Sequence, residues 1–408
     1  MREKLKFYCD VISGYAFSSS DWKEDGVPVI KIGNISNGGD VDCNEQLQHV
    51  DELFLGKLDP KYQVSNGDIL VSLTGSHINQ PNSMVGRSCR NFTEQKYLLN
   101  QRAGKVIPFD NTDKDYLYYL ISTSAIKYDI ANRAYGGANQ VNVSPTDIKN
   151  IKWDFPLIEK QKKISGILSK YDELILNNKR RILQLENIAQ ELYREWFVRF
   201  RFPGYENVKF EDGFPRGWII KRLSDYGRVE TGKTPSTEIA ENYGGEMMFV
   251  KTPDMHGNMF IIQTEDKLSE RGHNTQPKKL LPANSIMVSC IGTAGVVSIN
   301  AEPAHTNQQI NSIVLNNPNE LEWLYHTCKS LKETIELFGA TGATMTNLSK
   351  GKFEKLKVVD PGEDLILAYH NKVKPLFDEI KFLMYQNQNL AAQRDMLLPR
   401  LMSGKLEV

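Results

Sequence analysis

No apolar run in this 408-residue chain approaches the ~18 residues that a membrane-spanning helix needs. The opening MREKLKFYCD also lacks the apolar stretch of a secretory signal. Cysteine is scarce. Cys9, Cys43, Cys89, Cys290 and Cys328 are scattered, odd in number and never spaced as CxxC, which argues against a disulfide framework and a cysteine zinc site. Reduced thiols in the cytoplasm are the expectation. None of the seven His falls in an HExxH or other metal-ligand spacing. Net charge is missing as well: 50 basic residues balance 50 acidic ones, so a crude polybasic attraction to nucleic acid is excluded. A local basic face is not. Residues 156–201 carry 10 basic against 6 acidic residues, whereas 1–155 and 202–360 each carry 17 against 19 and the remaining tail 6 against 6. With 40% hydrophobic and 25% charged residues the chain reads as folded, and ~150 residues per domain suggests two or three domains.

What is present is a duplication. Leu5–Gly14 (LKFYCDVISG) aligns with Leu223–Gly232 (LSDYGRVETG) at an offset of 218, and Asp68–Gly75 (DILVSLTG) with Ser285–Gly292 (SIMVSCIG) at 217. Asn100-Gln101 answers Asn307-Gln308 at 207, Leu117 and Leu120 answer Leu321 and Leu324 at 204, and Tyr135-Gly136 answers Phe338-Gly339 at 203. Ile148 and Ile151 match Phe353 and Leu356 at 205, while Tyr171-Asp172 and Leu192 match Phe377-Asp378 and Leu398 at 206. The order never changes, and the offset drifts only where loops change length. Each copy is a mixed domain followed by a long helix. Strands are expected at Val27–Ile32, Ile69–Leu73, Met247–Lys251 and Ile286–Cys290, and helices over Asp113–Asn132 and Asn319–Leu337. The stripe Leu321, Leu324, Tyr325, Cys328 and Leu331 on the last of these is expected to be core. Strands and helices do not alternate regularly, so α+β is favoured over a doubly wound sheet.

The long helices carry heptads. From Glu159 to Arg199, Ile164, Tyr171, Leu185 and Leu192 form one column and Ile167, Leu174 and Ile188 the next, with Asn178 and Arg181 as polar interruptions. The tail repeats this with Phe377, Met384, Ala391 and Leu398 beside Val373 and Ile380, interrupted at Asn387 and Arg394. Pro375 predicts that the tail helix begins near Lys374. Two like helices in one chain most simply pair with each other. Antiparallel pairing would act as a caliper holding two dissimilar readers, suited to an asymmetric bipartite site on duplex DNA.

At this point the chain resembles the specificity subunit of type I restriction–modification enzymes, over essentially its whole length. The resemblance rests on the duplicated domain, on Gly232-Lys233-Thr234-Pro235-Ser236, and on the segments FPLIEKQKKISGILSKYDELI and LAAQRDMLLPRLMSG. It implies an α+β fold of two tandem pseudo-repeated target-recognition domains separated by an antiparallel two-helix coiled coil. The implied division is 1–155 and 202–360 for the recognition domains, 156–201 for the central conserved helix, and 361–408 for the distal helix and tail. It further implies sequence-specific binding of double-stranded DNA and assembly with two methylation subunits and with motor-nuclease restriction subunits. S-adenosylmethionine, ATP and Mg²⁺ would belong to those partners, with no cofactor, metal or catalytic residue on this chain and no membrane association.

An enzyme is the rival reading. Gly227–Thr234 (GRVETGKT) fits the P-loop pattern, but Pro235 argues against the helix that must follow. Pro253-Asp254 with Glu265-Asp266-Lys267 fits a loose nuclease pattern for holding Mg²⁺, and reads better as a surface turn. Phe338–Gly342 follows a helix, whereas a dinucleotide-binding turn follows a strand, and no [DN]PP[FY] methyltransferase signature occurs.

Reading bases needs side chains that bond in pairs: Arg or Lys for guanine, Asn or Gln for adenine. Loops rich in such groups at matching places in the two copies supply the DNA-binding candidates. In the first copy these are Thr74, Ser76, Arg87, Gln101, Arg102, Arg133, Asn139 and Gln140. In the second they are Lys233, Lys251, Thr293, Gln308, Gln309, Thr344 and Lys350. Partner contact is expected on exposed helix faces around Lys162, Lys163, Lys170, Lys179 and Arg180.

Overall fold

The computed structural model describes residues 2–43, 47–77, 85–137, 140–211, 213–339 and 347–408. It divides into two compact units, Met1–Ile175 with Asn389–Val408, and Leu176–Gln388. No helix among the described residues is long and apolar enough to cross a membrane.

Each unit is built on a sheet of four antiparallel strands in the same order, to which the second unit adds a fifth, parallel strand at the edge. In the first, the order is Cys9–Ser13, Ala103–Pro108, Ile69–Ser72, Ser88–Arg90. In the second it is Gly227–Thr231, Ile310–Leu315, Ile286–Ser289, Val297–Asn300, with Phe260–Ile261 added at the edge. The register matches too. Val106 lies between Val11 and Ile69, and Ile313 between Val229 and Ile286. These three pairs carry offsets of 207, 218 and 217, those of the surrounding sequence matches. A one-residue slip would turn every side chain to the other face, so an identical register means an identical core face. A second sheet in each unit holds one parallel pair: Val27–Ile30 with Tyr97–Leu99, and Tyr243–Val250 with Ala304–Thr306.

The helices after the sheets are each broken once where one continuous helix was expected. The first copy has Lys114–Ser122 and Ser124–Arg133, because Thr123 is extended and its hydroxyl accepts from the amide of Ile126 at 3.3 Å, capping the second piece. Leu331 separates Leu321–Ser330 from Lys332–Gly339. The stripe expected as core is buried, with Leu331 partly so. Glu322, Trp323, His326 and Thr327 are buried as well, so this helix is enclosed on every side.

The central helix runs Ile158–Tyr193 and closes in a π-helical turn, Arg194–Val198. The distal helix runs Glu363–Met402, so Pro375 lies well inside it and the expected start near Lys374 is corrected. Proline removes one backbone hydrogen bond, but Tyr369, Val373, Phe377 and Ile380, on both sides of it, are all in the core. Packing holds the helix through the defect.

The heptads need one correction. The column Ile164, Tyr171, Leu185, Leu192 faces inward, as do both columns of the distal helix. The second central column is not Ile167, Leu174 and Ile188, which are 37%, 50% and 55% exposed. It is Leu168, Ile175, Ile182, Ala189 and Trp196, one residue on. Apolar residues occupy both registers at three of these levels (Ile167/Leu168, Leu174/Ile175, Ile188/Ala189), so spacing alone could not choose between them.

Pairing of the two helices is antiparallel in each unit. In the second, Asn178 meets Asn387, Arg181 meets Glu379, and Ala189 meets Tyr369. In the first, Asp172 meets Arg394, while Ile164 and Leu168 share a core with Leu401 and Met402.

Candidate nucleic-acid interface

A set of backbone hydrogen bonds recurs at matched positions and fixes where the candidate side chains stand. In the first unit the amides of Gly14, Tyr15, Leu73 and Val143 donate to the carbonyls of Ala103, Leu99, Arg102 and Leu73, at 2.9, 2.8, 3.0 and 2.9 Å. In the second, those of Gly232, Lys233, Cys290 and Leu348 donate to Ile310, Thr306, Gln309 and Cys290, at 3.1, 3.0, 2.7 and 2.9 Å. Glycine is required where the first strand ends. A Cβ on Gly14 would stand 2.2 Å from the Leu99 carbonyl oxygen, and one on Gly232 2.1 Å from that of Asn307.

In the second unit this frame gathers Lys233, Gln308, Gln309 and Thr293. Lys233, Gln308 and Thr293 are exposed. Thr234 Oγ1 donates to Gln308 Oε1. Gln309 Oε1 accepts from Asn307 Nδ2 at 3.1 Å and Thr252 Oγ1 at 3.3 Å, which orients its amide, and Gly292 leaves open space beside Nε2. Lys251 lies next to Thr252 and pairs with Asp266, whose bond to it raises the Lys251 pKa. Lys350 opens the short helix Lys350–Glu354 and pairs with Glu354 at 3.7 Å.

The first unit gathers Gln101 and Arg102, both exposed, next to Leu73 and Thr74. Thr74 is buried, and its hydroxyl donates to Asn142 Oδ1 at 2.7 Å. Ser76 is buried too, and its carbonyl accepts from Val85. Arg87 Nη2 donates to the Ile32 carbonyl at 3.2 Å. Arg133 pairs with Asp129 at 2.9 Å on the last turn of its helix, and Gln140 is exposed. Asn139 and Thr344 lie outside the described residues. Spacing overlooked Lys127. Burial, followed by the nearby charge of Arg87, lowers its pKa, and its Nζ donates to Asn37 Oδ1 at 2.6 Å. As one charge on a helix face it carries no sequence signal, and only the fold sets it beside Arg87.

The P-loop pattern does not form a phosphate cradle. Gly227–Thr231 is a strand within the sheet, and the amides of Gly232 and Lys233 already donate to protein carbonyls. The nuclease pattern is also committed elsewhere: Asp254 accepts from the amides of Lys251 at 2.7 Å and Glu265 at 3.2 Å, and Lys267 pairs with Glu246 at 3.1 Å.

Comparison with known proteins agrees with this arrangement. The type I restriction modification DNA specificity domain matches residues 4–187 and again 215–361. The type I restriction enzyme HindI specificity subunit of Haemophilus influenzae is 32% identical, over 70% of this chain and 76% of its own. The MjaIX specificity subunit of Methanocaldococcus jannaschii is 29% identical, over 76% and 73%. Among solved structures, a type I restriction–modification S subunit from M. genitalium shares the fold, with a TM-score of 0.54 at 15% identity over 98% of this chain and 95% of that one. With the family's domain present twice, on two copies of one frame whose loops differ, the chain belongs to the type I restriction–modification DNA specificity family.

Proposed function

We propose that this chain reads an asymmetric, bipartite sequence on duplex DNA for a type I restriction–modification complex in the cytoplasm, and carries no chemistry of its own. Segments 1–155 and 202–360 each read one half-site. Segments 156–201 and 361–408 hold two methylation subunits and the restriction subunits, to which S-adenosylmethionine, ATP and Mg²⁺ belong. The supporting observation is the shared frame with different letters: Gln101-Arg102 and Gln308-Gln309 hang on equivalent backbone bonds, yet offer different donors and acceptors to base edges. Arg87, Arg133, Lys233, Lys251 and Lys350 are the phosphate or base contacts in this reading. Asn139, Gln140, Thr293 and Thr344 complete the reading loops, while Thr74, bonded to Asn142, and the buried Ser76 support them from within. Exposed Lys162, Lys163, Lys170, Lys179 and Arg180 form the partner-facing side of the central helix.

DNA binding by the assembled methyltransferase, measured against salt, tests this. Lys233→Ala should weaken binding to all sequences and lower the salt slope by about one, whereas Gln308→Ala should relax preference within one half-site. Nucleotide binding by the chain that Lys233→Ala abolishes, with DNA affinity unchanged, would favour an ATPase instead.

A further inference from the structure

The candidate loops of the two units share the exposed Gln101 and Gln308 but otherwise differ in most side chains, and both units also expose an aromatic at matched positions, offset 203. Tyr135 is 62% exposed and Phe338 57% exposed. In the first unit Tyr135 pairs with Asn142, which pairs with Thr74. In the second, Asn347 bridges to Ile291 and donates its amide to the carbonyl of Gly339, the residue after Phe338. Asn142 and Asn347 correspond at an offset of 205, and Thr74 and Ile291 at 217. Tyr135 therefore stands about two strand spacings, ~10 Å, from Thr74, while Phe338 sits on the last turn of the helix Lys332–Gly339, whose end is tied through Asn347 to Ile291. Gly136 holds the first of them tightly: its φ is 150°, and a Cβ there would stand 2.4 Å from the Gln140 carbonyl oxygen.

A single exposed aromatic needs no explanation. The same kind of exposed side chain at matched positions of two diverged copies, tethered in each through an Asn (Asn142 or Asn347) to the loop rich in base-reading groups, does. A hydrogen-bonding contact must change when the sequence read changes. A stacking contact need not, because every base offers a π-face and apolar rings also wedge between base steps. Such a group can stay aromatic while its neighbours diverge. We infer that Tyr135 and Phe338 are positioning residues that stack against a nucleobase, each opening a base step in the half-site its own unit reads. This rests on the DNA-reading function proposed above.

The test uses the assembled methyltransferase and duplexes carrying its methylated site, with 2-aminopurine in place of an adenine in one half-site or the other. Stacking predicts that Tyr135→Ala suppresses the fluorescence rise in one half-site only and weakens binding about 5- to 100-fold. Phe338→Ala should do the same in the other half-site, while Tyr135→Phe and Phe338→Tyr keep both readouts. Alanine variants that bind and fluoresce like wild type overturn the inference. So do variants that impair subunit assembly but leave the affinity of assembled complex unchanged. A wild-type complex with no preference for its own methylated site would instead overturn the DNA-reading function, and this inference with it.

Discussion

In both units the long helices share an apolar core, but the buried polar contact between them is an ion pair in the first unit and a pair of amides in the second, whose Arg181–Glu379 ion pair is exposed. Asp172 accepts from Arg394 at 2.5 Å and from Tyr119 at 2.6 Å, with the Asp and Arg side chains 8% and 17% exposed. The corresponding stretch of the second unit packs Ala189, Tyr193 and Trp196 with Tyr369, Val373, Phe377 and Ile380. Its buried polar element is neutral: Asn178 Nδ2 donates to Gln386 Oε1 at 2.7 Å and to Asn387 Oδ1 at 3.0 Å, while the charged Arg181 and Glu379 pair in the open. One backbone plan therefore tolerates two solutions. The ionic one is sensitive to loss of either partner, because the charge left behind has no water to solvate it. The amide one fixes register at a smaller penalty.

The largest difference should appear on truncation. Asp172→Ala leaves the mostly buried Arg394 to pair with the exposed Asp395 at 2.8 Å and strips the Tyr119 hydroxyl of its acceptor, and should destabilise the first unit by about 3 kcal/mol. Hydrogen exchange should report it around Leu168 and Leu401 before the second unit is affected; equal loss of protection in both would contradict it. Gly14→Ala and Gly232→Ala should each cost about 1–3 kcal/mol, because the backbone must yield to the new Cβ. Each effect should stay within its own unit, as amide exchange on the first strands would show. Asn178→Ala should cost only about 1–2 kcal/mol, and a denaturation midpoint shift as large as that of Asp172→Ala would erase the distinction between the two solutions.

Acid should separate the units more gently. Burial, aided by Lys329 and Arg194, pushes the His326 pKa down to about 3, and burial with His273 beside it pushes that of His305 down to about 4. Both belong to the second unit. Below the ordinary value of 6.5 the unfolded chain takes up protons that the folded unit refuses, so stability falls as pH drops from 6.5 toward 4 and 3. Glu320, pushed up to about 7 by burial, works in the opposite sense between 4.5 and 7. Urea midpoints of His326→Phe against wild type isolate one histidine: the variant should lose up to ~1.4 kcal/mol of stability dependence per pH unit in that window. Parallel pH profiles would contradict it.

Much of this was legible in the sequence because duplication states the same constraint twice. The offsets 218, 217 and 207 reappear as the register of the two sheets, since inserted residues fall in loops and leave paired strands in step. Periodicity was less informative where two registers are both apolar, as at Ile167 and Leu168. Local propensity also misplaced the start of the distal helix, because tertiary packing around Pro375 outweighs one missing hydrogen bond. For the interface, residue type picked out the loop groups at Gln101-Arg102 and Gln308-Gln309. It could not show that the Thr74 hydroxyl is already spent on Asn142, or that Lys127 stands near Arg87.

The central claim, that each recognition segment reads its own half-site, is tested most directly by replacing residues 1–155 with the matching segment of another specificity subunit and sequencing the methylated genome of cells carrying the complete system. The account predicts a methylated motif in which one half is exchanged and the other is kept letter for letter. A motif altered in both halves, or in neither, would contradict it.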